Sequence, residues 1–98
     1  MSMDFDRLVH QPTRLRILSR LYTQGEASFT ELGENLDLTE GNLSSHLRKL
    51  EDAGYVQVEK AFEDRKPKTT YRLTREGEDA LEDHVKRLEK IIDSLESD

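Results

Sequence analysis

The chain has no cysteine and only two prolines among its 98 residues. Without cysteine there is no disulfide framework, no thiolate nucleophile and no cysteine-based metal site. No apolar run approaches the roughly 20 residues needed to span a bilayer, and Met1 to Leu8 holds no hydrophobic stretch of the signal-peptide kind. Apolar residues are scarce, 34% against 37% charged, and mean hydropathy is −0.83. A chain this short has room for one core, and having so little to bury favours self-association. A soluble, cytoplasmic, single-domain protein is expected. Acidic residues outnumber basic ones 21 to 15, a net charge of −6, which at face value argues against a nucleic-acid partner.

What is present is strong periodicity, which excludes disorder at this charge content. Pro12 suits a first helical turn, and Leu15, Leu18, Leu21 and Tyr22 follow at helical spacing up to Gln24–Gly25, a C-cap signal. Before it, Phe5, Leu8 and Val9 suggest a short helical turn or arm. Residues 28–30 fit a short strand or the start of a helix: Ser28 with Glu31 makes a capping box, and Thr30 is an equally good N-cap. Leu32 and Leu36 then give a two-turn helix one apolar edge. Thr39 can cap a further helix that carries Leu43, Leu47 and Leu50 and ends at Ala53–Gly54. From Tyr55 to Phe62 the period is two. Residues 64–68 (DRKPK) read as a polar, basic turn in which Pro67 excludes continuous strand pairing. Alternation resumes from Thr69 to Leu73, so a β-hairpin with a charged tip is expected. From Arg75 onward Leu81, Val85, Leu88, Ile92 and Leu95 form a heptad seam. A helix of about 22 residues would be ~33 Å long, more than so small a domain needs for its own core. The expected fold is mainly α with a small β-hairpin, a winged helix-turn-helix with a long C-terminal helix. It divides into an arm over 1–12, the core over 13–74 and a dimerisation helix over 75–98.

The run Ser44-x-His46-Leu47-x-x-Leu50, then Ala53-Gly54-Tyr55-Val56, and later Leu73-Thr74-x-x-Gly77 resembles winged-helix transcriptional regulators of the MarR/ArsR-like kind. The likeness is to their short single-domain members and spans roughly residues 13–85. It implies sequence-specific binding of double-stranded DNA, usually as a dimer. His46 matches the histidine usual in that family, for which packing or N–H bonding is a better role than ligation.

Residue chemistry supports the same reading. With Leu43, Leu47 and Leu50 buried, the opposite face carries Gly41, Asn42, Ser45, Arg48 and Lys49, small and free of carboxylates, suited to a major groove about 12 Å wide. Asn42 can read an adenine edge, Ser45 either partner of a base pair, and Arg48 guanine or a phosphate. Lys49 suits a phosphate, as do Thr39 and Ser44 beside the helix N-terminus. Glu40 is discordant there. Arg65, Lys66 and Lys68 at the hairpin tip suit flanking phosphates or a minor groove. The distal seam (Leu88, Ile91, Ile92 and Leu95) is expected to pair two copies, with Phe5 and Leu8 closing over it from either chain. No nucleophile–base pair, phosphate-cradling glycine loop or HExxH motif is present, so no enzyme and no cofactor are expected. Asp83 and His84 point about 100° apart on a helix and are too few for zinc, so no metal site is expected either. Any effector pocket would lie between the last helix and residues 5–18. The rival reading is a winged helix used for protein–protein contact, with the acidic surface as its interaction face.

Charge along the chain separates the two readings. Residues 1–42 carry a net −3, residues 43–75 a net +3 and residues 76–98 a net −6. The one positive segment holds most of the expected recognition helix and the whole wing.

Overall fold

The structure, a computed structural model, describes residues 5–97; the parts of the expected arm and last helix at residues 1–4 and 98 lie outside them. In chain order the elements are α1 (Arg7–His10), α2 (Pro12–Gln24), β1 (Ala27–Ser28), α3 (Phe29–Leu36), α4 (Glu40–Asp52), β2 (Val56–Glu63), β3 (Lys66–Leu73) and α5 (Arg75–Glu96). The architecture is a winged helix: a helical core, a three-stranded antiparallel sheet in the order β1-β3-β2, and a long last helix.

The boundaries have local causes. Gly25, at φ 85°, ends α2 and its N–H reaches back to the Leu21 carbonyl at 3.1 Å. Ser28, rather than Thr30, caps α3: its Oγ accepts from Glu31 N at 3.0 Å while Glu31 Oε1 accepts from Ser28 N at 3.3 Å, both arms of a capping box. Those bonds to Ser28 hold the Glu31 carboxyl below the usual carboxylate range. Asp37 closes α3 in the left-handed region at φ 54°. At the end of α4, Tyr55 N reaches Leu50 O and Gly54 N reaches Glu51 O, both at 2.9 Å, with Gly54 at φ 81°. This pairing is a Schellman closure.

The wing differs from expectation. Strand pairing runs without a break from Val56↔Leu73 to Glu63↔Lys66, through Phe62↔Pro67. The turn is only Asp64–Arg65, both at positive φ (53° and 67°), which is the geometry a two-residue hairpin loop demands. Pro67 is tolerated because β1 pairs with β3 only at Thr70 and Tyr71. At Pro67 the outer edge of β3 is open, and an edge strand can accommodate a proline.

The core gathers Val9, Ile17, Leu18, Leu21, Leu32, Leu43, Leu47, Leu50, Val56 and Leu81. Against it α5 turns Gly77, Leu81 and His84, with Leu88 and Ile91 half-buried farther along. The expected seam therefore shifts: His84 takes an inward place, and Val85 is 41% exposed. Ile92 is 50% and Leu95 81% exposed, because α5 continues past the domain. The molecule measures 60 Å along its longest axis and about 24 Å across. Val85, Leu81 and Tyr22 line a groove of about 380 Å³ between α2 and α5. It lies beyond the 5–18 segment of the expected effector pocket, whereas a hollow of about 370 Å³ lies between Asp6 of that segment and Glu76, Asp79, Asp83 and His84 of α5.

Phe5 and Leu8 pack within their own chain. The Phe5 ring stacks on His10 at 4.6 Å and meets His84 edge-on at 5.4 Å, and Leu8 packs on the core. Asp6 ties this segment down: Oδ1 caps α1 through Leu8 N at 2.9 Å, and Oδ2 accepts from the Tyr55 hydroxyl at 2.7 Å. That bond, then burial, pushes the Tyr55 hydroxyl up to about 12.

Candidate nucleic-acid interface

A three-residue turn, Asp37–Thr39, joins α3 to α4 and makes a helix-turn-helix. Thr39 Oγ1 accepts from Asn42 N at 3.2 Å and so fixes where α4 begins. Leu43, Leu47 and Leu50 then go fully into the core. The 3.6-residue repeat leaves Asn42, Ser44, Ser45, Arg48 and Lys49 exposed on the other side. None of these five side chains makes a hydrogen bond or ion pair with another described residue. Glu40 is also exposed, and its carboxylate complements the positive end of the helix.

His46 lies at the border of that face, half-buried. Arg14, buried on α2, donates Nε to the Leu8 carbonyl at 2.7 Å and Nη1 to His46 Nδ1 at 3.1 Å. A guanidinium has only donors, so Nδ1 accepts and the ring proton sits on Nε2. Burial, then the charges of Arg14 and Lys49, holds the His46 pKa below the usual imidazole value. Sequence reasoning expected packing or N–H bonding at His46; the ring instead accepts at Nδ1, and its partner was not foreseen because nothing in the spacing of residues 14 and 46 links two helices.

At the wing, Arg65 and Lys66 are exposed with no ion pair among the described residues. Lys68 is different: its Nζ lies 2.8 Å from Glu63 Oε2 across the strands. That contact raises its pKa above the usual lysine value. Such an exposed pair is weak and exchangeable. Lys60 was missed by sequence reasoning, since a tip drawn at 64–68 drew attention from the strand. The register places it opposite Thr69, exposed and without an ion pair among the described residues. Period-two spacing from Val56 and Val58 was the signal that could have found it.

Most other arginines are tied into the structure. Arg16 donates to the Leu36 carbonyl at 2.8 Å, Arg20 to Asn35 Oδ1 at 2.8 Å, and Arg72 to Gln57 Oε1 at 3.1 Å. Arg75 and Arg87 pair along α5 with Asp79 and Asp83. Of the exposed cations without a partner among the described residues, five lie on α4 and the wing (Arg48, Lys49, Lys60, Arg65 and Lys66) and three elsewhere (Arg7, Lys86 and Lys90). Among the described residues no group of three or more His, Asp or Glu is arranged to hold a metal, and no helix is long and apolar enough to cross a membrane.

Comparison with known proteins gives the same answer. Residues 13–92 match the winged helix DNA-binding domain family. The chain is 31% identical over 90 residues to an uncharacterized protein of Methanocaldococcus jannaschii, covering 92% of this chain and 98% of that one. It is 29% identical over 83 residues to the HTH-type transcriptional regulator YdgJ of Bacillus subtilis, covering 85% of this chain but only 50% of YdgJ. A transcriptional regulator homologue from Pyrococcus horikoshii superposes with a TM-score of 0.87 at 35% identity, covering 94% of this chain and 91% of that one. The chain belongs to the winged helix DNA-binding domain family and is a winged helix-turn-helix transcriptional regulator, not an enzyme.

Proposed function

We propose that two copies of this chain bind one roughly palindromic operator and act by occupying it. The observation that carries the reading is the exposed face of α4. Asn42, Ser45, Arg48 and Lys49 project from a helix whose other side is locked into the core, and no neighbour among the described residues uses their polar side-chain groups. Asn42 and Ser45 are the base readers, and Arg48 takes guanine or a phosphate. Lys49, Ser44 and Thr39 hold phosphates at the groove edge. Arg65 and Lys66 grip the flanking backbone, with Lys68 joining by exchanging Glu63 for a phosphate. The distal part of α5 supports pairing of two copies: Ile91, Ile92 and Leu95 extend the apolar stripe past the point where the domain can cover it, and Leu88 borders it. Pairing there sets two α4 helices in successive major grooves, with half-site centres about 34–36 Å apart.

Selection of binding sites from random duplex DNA tests this reading directly. The expected result is a palindrome with that spacing and an affinity that falls steeply with salt, by about 0.9 in log–log slope per phosphate neutralised. Recovery of single half-sites without symmetry would remove the dimer. Salt-independent or undetectable duplex binding would leave protein–protein contact as the better account.

A further inference from the structure

One ring nitrogen on α4 has its chemistry set by a buried charge on α2. The Arg14 guanidinium is only 9% exposed, and it reaches the Leu8 carbonyl and His46 Nδ1 together. The second bond fixes more than the place of the ring. Arg14 can only donate, so the single proton of the neutral imidazole is held on Nε2. Burial, then the charges of Arg14 and Lys49, favours that neutral ring. Among the described residues the one buried side-chain nitrogen or oxygen without a partner is His84 Nδ1. His46 Nε2 has no partner there either, so its N–H opens to solvent at the rim of α4. With Leu43, Leu47 and Leu50 turned inward, Ser45 stands near the centre of the exposed face, and His46 lies about 100° round from it. Spacing of four from Asn42 and three to Lys49 puts His46 on their side of the helix. In a helix lying in the major groove, central residues meet base edges and marginal ones meet the phosphate wall.

We propose that His46 is a DNA contact: its Nε2–H donates to a phosphate oxygen on the wall of the major groove, and Arg14 is the positioning residue that aims it. The inference rests on the DNA-binding reading and adds a neutral donor to a surface otherwise read through its cations. A ring free to change tautomer would turn a lone pair toward the phosphate part of the time, and two acceptors repel. With Arg14 bonded to Nδ1, only the donor faces outward. Lys49, one turn farther on, takes its phosphate on the same wall.

Two substitutions separate the ring nitrogens. An asparagine amide reaches about as far as Nδ1 and can keep the Arg14 bond, whereas a glutamine amide reaches to Nε2 and can keep the outward donor. On the duplex recovered by selection, His46→Gln should bind within about twofold of the wild-type chain. His46→Asn should weaken binding about fivefold at each half-site, the worth of one neutral hydrogen bond. Every sequence should be affected alike, and the salt slope should not change, because a neutral donor displaces no counterion. Circular dichroism confirms that both variants are folded. The reverse order, with His46→Asn like wild type and His46→Gln weakened, overturns the contact and leaves the ring a support for Arg14. Equal binding by all three chains overturns it, as does an equal loss in both variants. A loss that depends on the base pair at one position overturns the phosphate in favour of a base edge. Nitrogen NMR of the free chain tests the aiming: His46 should be wholly the Nε2–H tautomer in wild type and a mixture in Arg14→Met. A ring protonated on Nδ1, or one that Arg14→Met leaves unchanged, overturns the role of Arg14. A wild-type chain that binds no duplex at low salt overturns the contact together with the reading beneath it.

Discussion

Helices α4 and α5 start alike and end differently. Each is capped by a threonine whose hydroxyl accepts from a backbone N–H three residues on, Thr39 from Asn42 and Thr74 from Gly77. Each carries one apolar stripe. On α4 the stripe is finished inside the chain: Leu43, Leu47 and Leu50 are all buried to 1% exposure or less. On α5 it outruns the core, from buried Leu81 to Leu95 at 81%. Polar faces differ too. That of α4 is small, cationic and unpartnered among the described residues, whereas residues 76–98 hold nine acidic groups. A helix whose apolar side is satisfied can offer only polar chemistry to a partner, and one with apolar surface left over offers burial. The first suits a nucleic acid and the second suits another copy of the same helix.

The sharpest break in this pair comes from a glycine in the first turn of each helix. A Cβ on Gly77 would collide with the backbone carbonyl of Tyr55, where α5 crosses the start of the wing, while a Cβ on Gly41 would meet nothing. Gly77→Ala should therefore cost about 3 kcal/mol, because backbone must move to admit it. Gly41→Ala should stabilise by about 0.5–1 kcal/mol through its lower unfolded-state entropy. Chemical denaturation of both variants decides it, and equal effects would mean that the α5 junction is not tight.

Next in size is the unfinished stripe. Ile92→Lys with Leu95→Lys should raise the dimer dissociation constant about a hundredfold, near 2.7 kcal/mol, and leave the fold intact because both residues are exposed. Sedimentation equilibrium reads it. Binding to a full palindrome should fall while binding to a half-site persists. An unchanged dimer would place pairing elsewhere. On α4, Arg48→Ala should weaken binding by about 1–3 kcal/mol without touching dimerisation. Asn42→Ala should relax base preference at one position while keeping the salt slope. Uniform, sequence-independent losses from both would mean that neither reads a base.

Much of this was legible because each helix advertises its own limits. Pro12, Gly25, Thr39 and Gly54 punctuate the chain by local chemistry, so the helix order, the two-turn α3 and, with the periodicity from Arg75 onward, the 22-residue α5 were readable from the sequence. The exposed face of α4 was equally readable, since three leucines at 43, 47 and 50 fix the helix rotation. The wing was drawn too short because Pro67 reads locally as a strand breaker, and only the sheet order shows that its outer edge is free. Lys60 was passed over for that reason. Long-range pairings such as Arg14 with His46, or Tyr55 with Asp6, leave no periodic trace. His84 is the clearest case: heptad counting selected Val85, and the actual rotation of α5 turned the histidine inward instead.

That rotation has a measurable cost. His84 is 2% exposed, its Nδ1 has no hydrogen-bond partner among the described residues, and its Nε2 lies 3.5 Å from Nδ1 of His10, the outer limit for a bond. Burial, then His10, holds its pKa below the usual imidazole value; Asp6 pulls the other way by more than Arg87 adds, and Asp83 opposes least. An unfolded histidine takes up its proton as pH falls through about 6.5, and the buried one resists. The unfolded chain then binds more protons, so stability must fall as pH drops below that value and level off only beneath the depressed native pKa. His46 is shifted the same way and contributes to the same slope. Glu31 is shifted too, but its loss belongs below the usual carboxylate range. His84→Leu removes an unsatisfied buried nitrogen and keeps the volume close, so it should stabilise by about 1 kcal/mol at pH 7.5. The gain should be larger at pH 5.5, where wild type is weakened. Thermal melts at the two pH values read both numbers. A variant destabilised equally at each pH would show that α5 uses the His84–His10 contact as a real bond, and that its inward face is as complete as that of α4.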